Sequence, residues 1–133
     1  MEKIYVYTDG AFSSTREQGG WAFVVVQGDK QLHYDCGGVK DTTNNRMELQ
    51  AIMEATKWLQ DNFIPEAMVV SDSMYCIGCL TKGWKRKKNV DMWAEMDALG
   101  FDYDIKHVKG HSGDKWNDTC DMWAVHARDL VLE

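Results

Sequence analysis

The chain has 133 residues, 44% of them hydrophobic and 27% charged, which fits one compact domain over residues 1–133 with a genuine core. No apolar run approaches the roughly 20 residues that a bilayer span needs, and Met1-Glu2-Lys3 leads straight into Ile4-Tyr5-Val6-Tyr7 without a signal-peptide layout, so a cytoplasmic protein with no membrane partner is expected. A net charge of −6 and a pI of about 5.1 argue against a nucleic-acid binder that presents a wholly basic face.

Residues 3–9 alternate and are rich in β-formers, which predicts a first strand. Residues 10–20, with Gly, Ser and Thr and ending in Gly19-Gly20, read as a loop. Residues 21–27 and 31–37 read as a hairpin turning at Gly28-Asp29. Strong helix formers and helical periodicity cover residues 43–62. Pro65 separates that helix from a short buried strand over residues 67–71. A short helix is predicted over 73–81, then a basic segment, then a helix over 90–99 that stops at Gly100. Alternation returns over 102–108, residues 110–115 read as a loop, and 117–131 as a final helix. The order β-β-β-α-β-α-α-β-α predicts a mixed sheet with helices on its faces.

The four cysteines are Cys36, Cys76, Cys79 and Cys120. Cys76 and Cys79 form a CxxC, but no second Cys/His pair stands at zinc spacing from them. Buried or half-buried free thiols are expected. Positive charge is concentrated in Lys82, Lys85, Arg86, Lys87 and Lys88. Such a run is either a solvated corner or a binding patch.

Four acids occupy informative places. Asp9 ends the first strand, on the side of Tyr5 and Tyr7. Asp72 directly follows the strand of Val69-Val70-Ser71. In open α/β sheets, sites gather at the carboxyl ends of parallel strands, so these two aspartates can share one site if their strands are neighbours. Glu48 begins the helical stripe of Ile52, Ala55 and Leu59, where a charge is costly unless paired or bound to metal. The plain alternative is a capping acid reaching back to Asn45. Asp121 shares a face with Ala124 and Val125, and its plain alternative is a first-turn acid favoured by the helix dipole. Four converging carboxylates would repel one another and raise their pKa values unless cations sit between them. Hard oxygen ligands suit Mg²⁺ or Mn²⁺. Two such ions suit in-line phosphoryl displacement, one generating the nucleophile and the other stabilising the leaving oxygen.

Six segments, in order and nearly end to end, carry a resemblance: Tyr7-Thr8-Asp9-Gly10; Thr43 through Leu49; Ser71-Asp72-Ser73; Lys88 through Asp91 with Trp93; Val108 through Gly113; and Asn117 through Asp121. Together they resemble ribonuclease H of type 1. The resemblance implies a five-stranded mixed sheet, three antiparallel strands then two parallel, flanked by helices. It implies an endonuclease that hydrolyses the RNA strand of RNA–DNA hybrids with two metal ions, leaving 5′-phosphate and 3′-hydroxyl ends. A monomer is expected, since nothing in the sequence marks an interface. Asp9, Glu48, Asp72 and Asp121 are the implied metal ligands and catalytic acids. His111 is implied to assist proton transfer or product release, whereas His33, His107 and His126 match no functional position. Recognition of the 2′-OH falls to the Gly10 backbone, Asn44, Asn45 and Glu48. A pocket for a DNA-strand phosphate maps to Thr43 and Asn89, and Trp93 is placed near a DNA sugar. Thr43 and Asn44 can equally be read as helix caps.

Three departures stand out. The segment Trp84 to Asn89 is too short for the family's basic protrusion, leaving Lys85, Arg86, Lys87 and Lys88 as its partial substitute. Asp41 stands where the family can carry Arg beside the phosphate pocket. Trp116 replaces a polar loop residue close to Asp121. The competing readings are another two-metal nuclease of the same superfamily, a non-catalytic hybrid-binding module, and a small acidic metal-binding protein.

Overall fold

Strand β1 (Ile4–Ser13) pairs antiparallel with β2 (Gln18–Gln27), which pairs antiparallel with β3 (Lys30–Lys40). The chain then forms α1 (Asn44–Asp61), β4 (Met68–Ser71), α2 (Met74–Thr81), α3 (Val90–Leu99), β5 (Asp104–His107) and α4 (Lys115–Asp129). This computed structural model describes residues 2–109 and 114–131. The sheet order is β3-β2-β1-β4-β5, with β4 parallel to β1 and β5 parallel to β4. The fold is therefore α/β, with the mixed five-stranded sheet expected from the sequence.

Local chemistry accounts for the boundaries. Thr43 caps α1, its hydroxyl oxygen accepting from Arg46 N–H, and Ser73 caps α2 by accepting from Cys76 N–H. Gly100 ends α3 in the left-handed region, φ 67°. Asp114 caps α4 by accepting from the N–H groups of Trp116 and Asn117, so the last helix starts earlier than the sequence pattern implies.

The reading of residues 10–20 as a loop is corrected. β1 runs on to Ser13 and β2 begins at Gln18, with Ala11 opposite Gly20 and Phe12 opposite Gly19. Here glycine marks close approach rather than a turn. A Cβ on Gly20 would lie 2.2 Å from the Ala124 carbonyl oxygen and 2.5 Å from Arg128 N, so α4 can lie directly on the strand.

Helices cover both faces. On one, Val6, Phe23 and Val25 pack against Ala55 and Leu59 of α1. On the other, Ala22, Val24 and Val26 pack against Cys120 and Ala124 of α4. Burial on both faces explains why Ala22 through Val26 is an unbroken apolar run. A third cluster joins Leu49, Ile52 and Met53 of α1 to Cys76 and Cys79 of α2 and to Met92, Trp93 and Met96 of α3. All four cysteines are free thiols. Burial pushes the Cys76 thiol up to about 12 and that of Cys120 well above its usual value, so both behave as small apolar groups. Among the described residues no helix is long and apolar enough to cross a membrane.

Candidate active site

Parallel pairing sets the first two acids side by side. Tyr7 of β1 is in register with Val70 of β4, and Asp9 and Asp72 each lie two residues further along. The Thr8 hydroxyl ties the strands here by donating to the Val70 carbonyl at 2.8 Å. Glu48 comes from the first turns of α1 and is 6% exposed. It does not reach back along its own helix as a capping acid: its Oε1 accepts from the backbone N–H of Gly10. Gly10 makes that approach possible, because a Cβ there would lie 2.5 Å from Glu48 N and 2.6 Å from Met47 C.

Asp9, Glu48 and Asp72 each offer an oxygen, and these oxygens all lie within 4.8 Å of one another. Asp121 is the seventh residue of α4, beyond the first turn, so the helix-dipole alternative does not apply. It is near enough to Asp9 to push that carboxyl upward, yet the three acids whose oxygens crowd together are Asp9, Glu48 and Asp72. His111 lies outside the described residues.

Electrostatics agree with the crowding. Burial, then the charge of Asp72, then the proximity of Asp121 push Asp9 up to about 8. Burial, followed by Asp72 and Asp9, raises Glu48 well above the usual carboxylate range. Oδ1 of Asp72 is buried and has no hydrogen-bond partner among the described residues. Mutually repelling carboxylates with an orphaned oxygen among them form a donor set that fits a hard divalent cation.

A pH prediction follows. A carboxyl raised in the folded state holds a proton that the unfolded chain releases. Its stabilising contribution is full below the unfolded pKa near 4 and is lost as pH rises through the folded value, here about 8 for Asp9. The metal-free protein is therefore expected to melt at progressively lower temperature from about pH 5 to about pH 9, and added Mg²⁺ should restore most of the loss at the alkaline end. Calorimetry in chelator and in Mg²⁺ checks this; an unchanged melting temperature across that range in chelator would contradict the cluster.

The other candidate residues divide. Thr43, Asn44 and Asn45 are exposed at the start of α1, and Asn89 immediately precedes α3. The Gly10 N–H is already engaged by Asp9 and Glu48. Trp93 is corrected: it is 2% exposed within the third cluster, which leaves no ring face for a sugar. The Arg86 guanidinium stacks 4.4 Å from the Trp93 ring centroid and pairs with both carboxylate oxygens of Asp97 at 2.7 and 2.8 Å, which ties the basic segment to α3 while leaving Arg86 partly exposed. Lys85, Lys87 and Lys88 remain exposed. Trp116 is half-buried against the cluster of Cys120 and Ala124, with Lys115 Nζ 4.6 Å from its ring centroid. His33 and His126 pack against Trp58 and Trp123.

Sequence reasoning misses the joint between α1 and α3. Arg46 forms a fork with Asp91 at 3.0 and 2.8 Å, which holds the Asp91 carboxyl at about 2. It also misses Tyr75, whose long-range hydrogen bonds leave no signature in local spacing.

Comparison with known proteins agrees with this geometry. The RNase H family model matches residues 1–129. The chain is 39% identical to a ribonuclease H of Syntrophomonas wolfei, covering 96% of this chain and 97% of that protein. It is 36% identical to a ribonuclease H of Acetivibrio thermocellus, covering 94% of each. Among solved structures, LC11-RNase H1 in complex with an RNA/DNA hybrid superposes with a TM-score of 0.82 at 22% identity, covering 96% of this chain and 97% of that one. RNase H1 of the archaeon Halobacterium salinarum superposes with a TM-score of 0.79 at 24% identity, covering 97% and 99%. With its fold, its acid cluster and its near full-length relatives in agreement, the chain belongs to the ribonuclease H family.

Proposed function

We propose that this chain hydrolyses the RNA strand of RNA–DNA hybrids, leaving 5′-phosphate and 3′-hydroxyl ends. The observation that carries the reading is the trio Asp9, Glu48 and Asp72 with the unpartnered Asp72 oxygen, set in a chain of this family. Asp9, Glu48, Asp72 and Asp121 would hold two Mg²⁺ or Mn²⁺ ions. When bound, such ions supply Lewis acidity, favouring deprotonation of the attacking water and offsetting charge on the leaving oxygen. The new bond joins water oxygen to phosphorus, and the bond that breaks is the one from phosphorus to the ribose 3′-oxygen, which takes up a proton.

The chain's own residues supply rigidity and recognition. The N–H of Gly10 holds the Glu48 carboxylate in place, and strand pairing holds Asp9 beside Asp72. Asn44 and Asn45 stand exposed next to Glu48, where they can meet the 2′-OH that separates RNA from DNA. Thr43 and Asn89 are assigned to a DNA-strand phosphate, and His111 to proton transfer or product release. The protein is proposed to act as a monomer in the cytoplasm.

Cleavage of a hybrid, of duplex DNA and of duplex RNA, each with Mg²⁺, Mn²⁺ and chelator, tests this reading. Only the hybrid should be cut, on its RNA strand, and only with metal. Cutting of duplex DNA at a comparable rate would instead favour another two-metal nuclease of this fold. Lys85, Lys87 and Lys88 yield a further prediction. Replacing all three with alanine should weaken hybrid binding and flatten its dependence on log salt, by close to one unit of slope for each phosphate that a lysine had neutralised. An unaltered salt slope would remove these lysines from the interface.

A further inference from the structure

Tyr75 is the second residue of α2, on the segment that leaves the active site directly after Asp72. Its hydroxyl oxygen accepts two hydrogen bonds, from Asn89 Nδ2 and from Trp93 Nε1, each at 3.0 Å. Trp93 is buried, and the two rings meet edge to face at 6.1 Å, so the hydroxyl is fixed to the core. The opposite end of the Asn89 amide is held as well: Arg46 Nη1 donates to its Oδ1 at 3.3 Å while the same guanidinium grips Asp91. The Arg46 backbone N–H in turn donates to the Thr43 hydroxyl oxygen.

This network orients one side chain. Asn89 has a left-handed backbone, φ 58°, and makes no capping hydrogen bond to the helix it precedes. Asparagine tolerates that conformation, but the surroundings must hold it there. The guanidinium can only donate, so the amide oxygen must face Arg46 and the NH₂ must face Tyr75. One N–H of that NH₂ is then committed to Tyr75, and the other, without a partner among the described residues, points in a fixed direction.

We infer that Tyr75 is a positioning residue for substrate binding, whose hydroxyl, acting with Arg46, aims the remaining Asn89 N–H at a phosphate of the hybrid's DNA strand. The inference rests on the proposed contact between Asn89 and the hybrid. It assigns to a core-anchored tyrosine the orientation of a grip that lacks positive charge at position 41.

Steady-state cleavage of a hybrid by Tyr75→Phe, Asn89→Ala and the double variant tests it. Tyr75→Phe keeps the ring and removes only the acceptor. It should raise KM about tenfold, the effect of losing one charge-assisted hydrogen bond, and leave kcat within about twofold. Asn89→Ala should do the same, and the double variant should be no worse than the poorer single one, because both act on one contact. Arg46→Lys, which loosens the other end of the amide, should also raise KM and serves if Tyr75→Phe does not fold. An unchanged KM in Tyr75→Phe alongside a raised KM in Asn89→Ala overturns the role of Tyr75. So does full additivity of the two, or a fall in kcat alone. If Asn89→Ala itself leaves KM unchanged, the underlying assignment of Asn89 fails instead.

Discussion

Asp9→Asn is expected to abolish cleavage and, in chelator, to raise the melting temperature. Asparagine has the size of aspartate and keeps a side-chain oxygen where Asp9 Oδ1 now accepts from Gly10 N–H at 2.9 Å. It removes one charge from a buried set in which Asp72 and Asp121 both push Asp9 upward. Relief equivalent to even one pKa unit is worth about 1.4 kcal/mol, which for a chain of this length is a shift of a few degrees. The gain should be largest above about pH 8, where the wild-type carboxyl would otherwise be ionised. The same substitution removes an anionic ligand from the centre of the donor set, and a loss on the order of 10³-fold or more in kcat is the usual scale for deleting such a transition-state interaction. Opposite movement of activity and stability is the signature sought. Near wild-type cleavage by a purified, folded Asp9→Asn protein would overturn the assignment of these acids, and a markedly lower melting temperature in chelator would show that their repulsion had been overstated.

Much of this arrangement can be read from the sequence, for reasons that differ by residue. The ends of α1 and α3 are legible because capping is local: Thr43 and Gly100 announce them through their own chemistry. The pairing of Asp9 with Asp72 is legible because each comes directly after a run of β-formers, Ile4 to Thr8 and Val69 to Ser71. Local pattern fails where tertiary packing decides. Gly19 and Gly20 look like a turn because sequence cannot show a helix lying on the strand. Trp93 looks available to a ligand, yet its ring is buried, with the Arg86 guanidinium stacked on it. Asp114 passes as a loop residue because its capping role depends on where α4 begins. Choice of the hybrid over other nucleic acids is not legible in the carboxylates. It rests on the neighbours of Glu48 and on family membership.

Gly10→Ala is expected to lower activity and stability together, the contrast that separates a geometric from an electrostatic defect. Gly10 has no unusual φ, so alanine can adopt its backbone, and the cost is wholly steric. The added Cβ would meet Glu48 N at 2.5 Å, Met47 C at 2.6 Å and Glu48 Oε1 at 2.9 Å. Two of these are backbone atoms of α1, which cannot rotate aside as a side-chain tip would. The start of the helix must therefore move off the strand. Overpacking of this kind costs about 1–3 kcal/mol. Glu48 would move with the helix, and a misplacement of about 1 Å at a reacting centre can cost about 10²-fold in rate. Spreading the trio should also weaken the shift in melting temperature produced by Mg²⁺. Gly100→Ala is the control. Its φ of 67° makes alanine mildly strained, but nothing lies within 4 Å of the new Cβ, so stability should fall slightly with cleavage unchanged. A Gly10→Ala protein with wild-type kcat, KM and melting temperature would show that α1 can retreat freely, and Glu48 would then owe its position to something other than the missing side chain at residue 10.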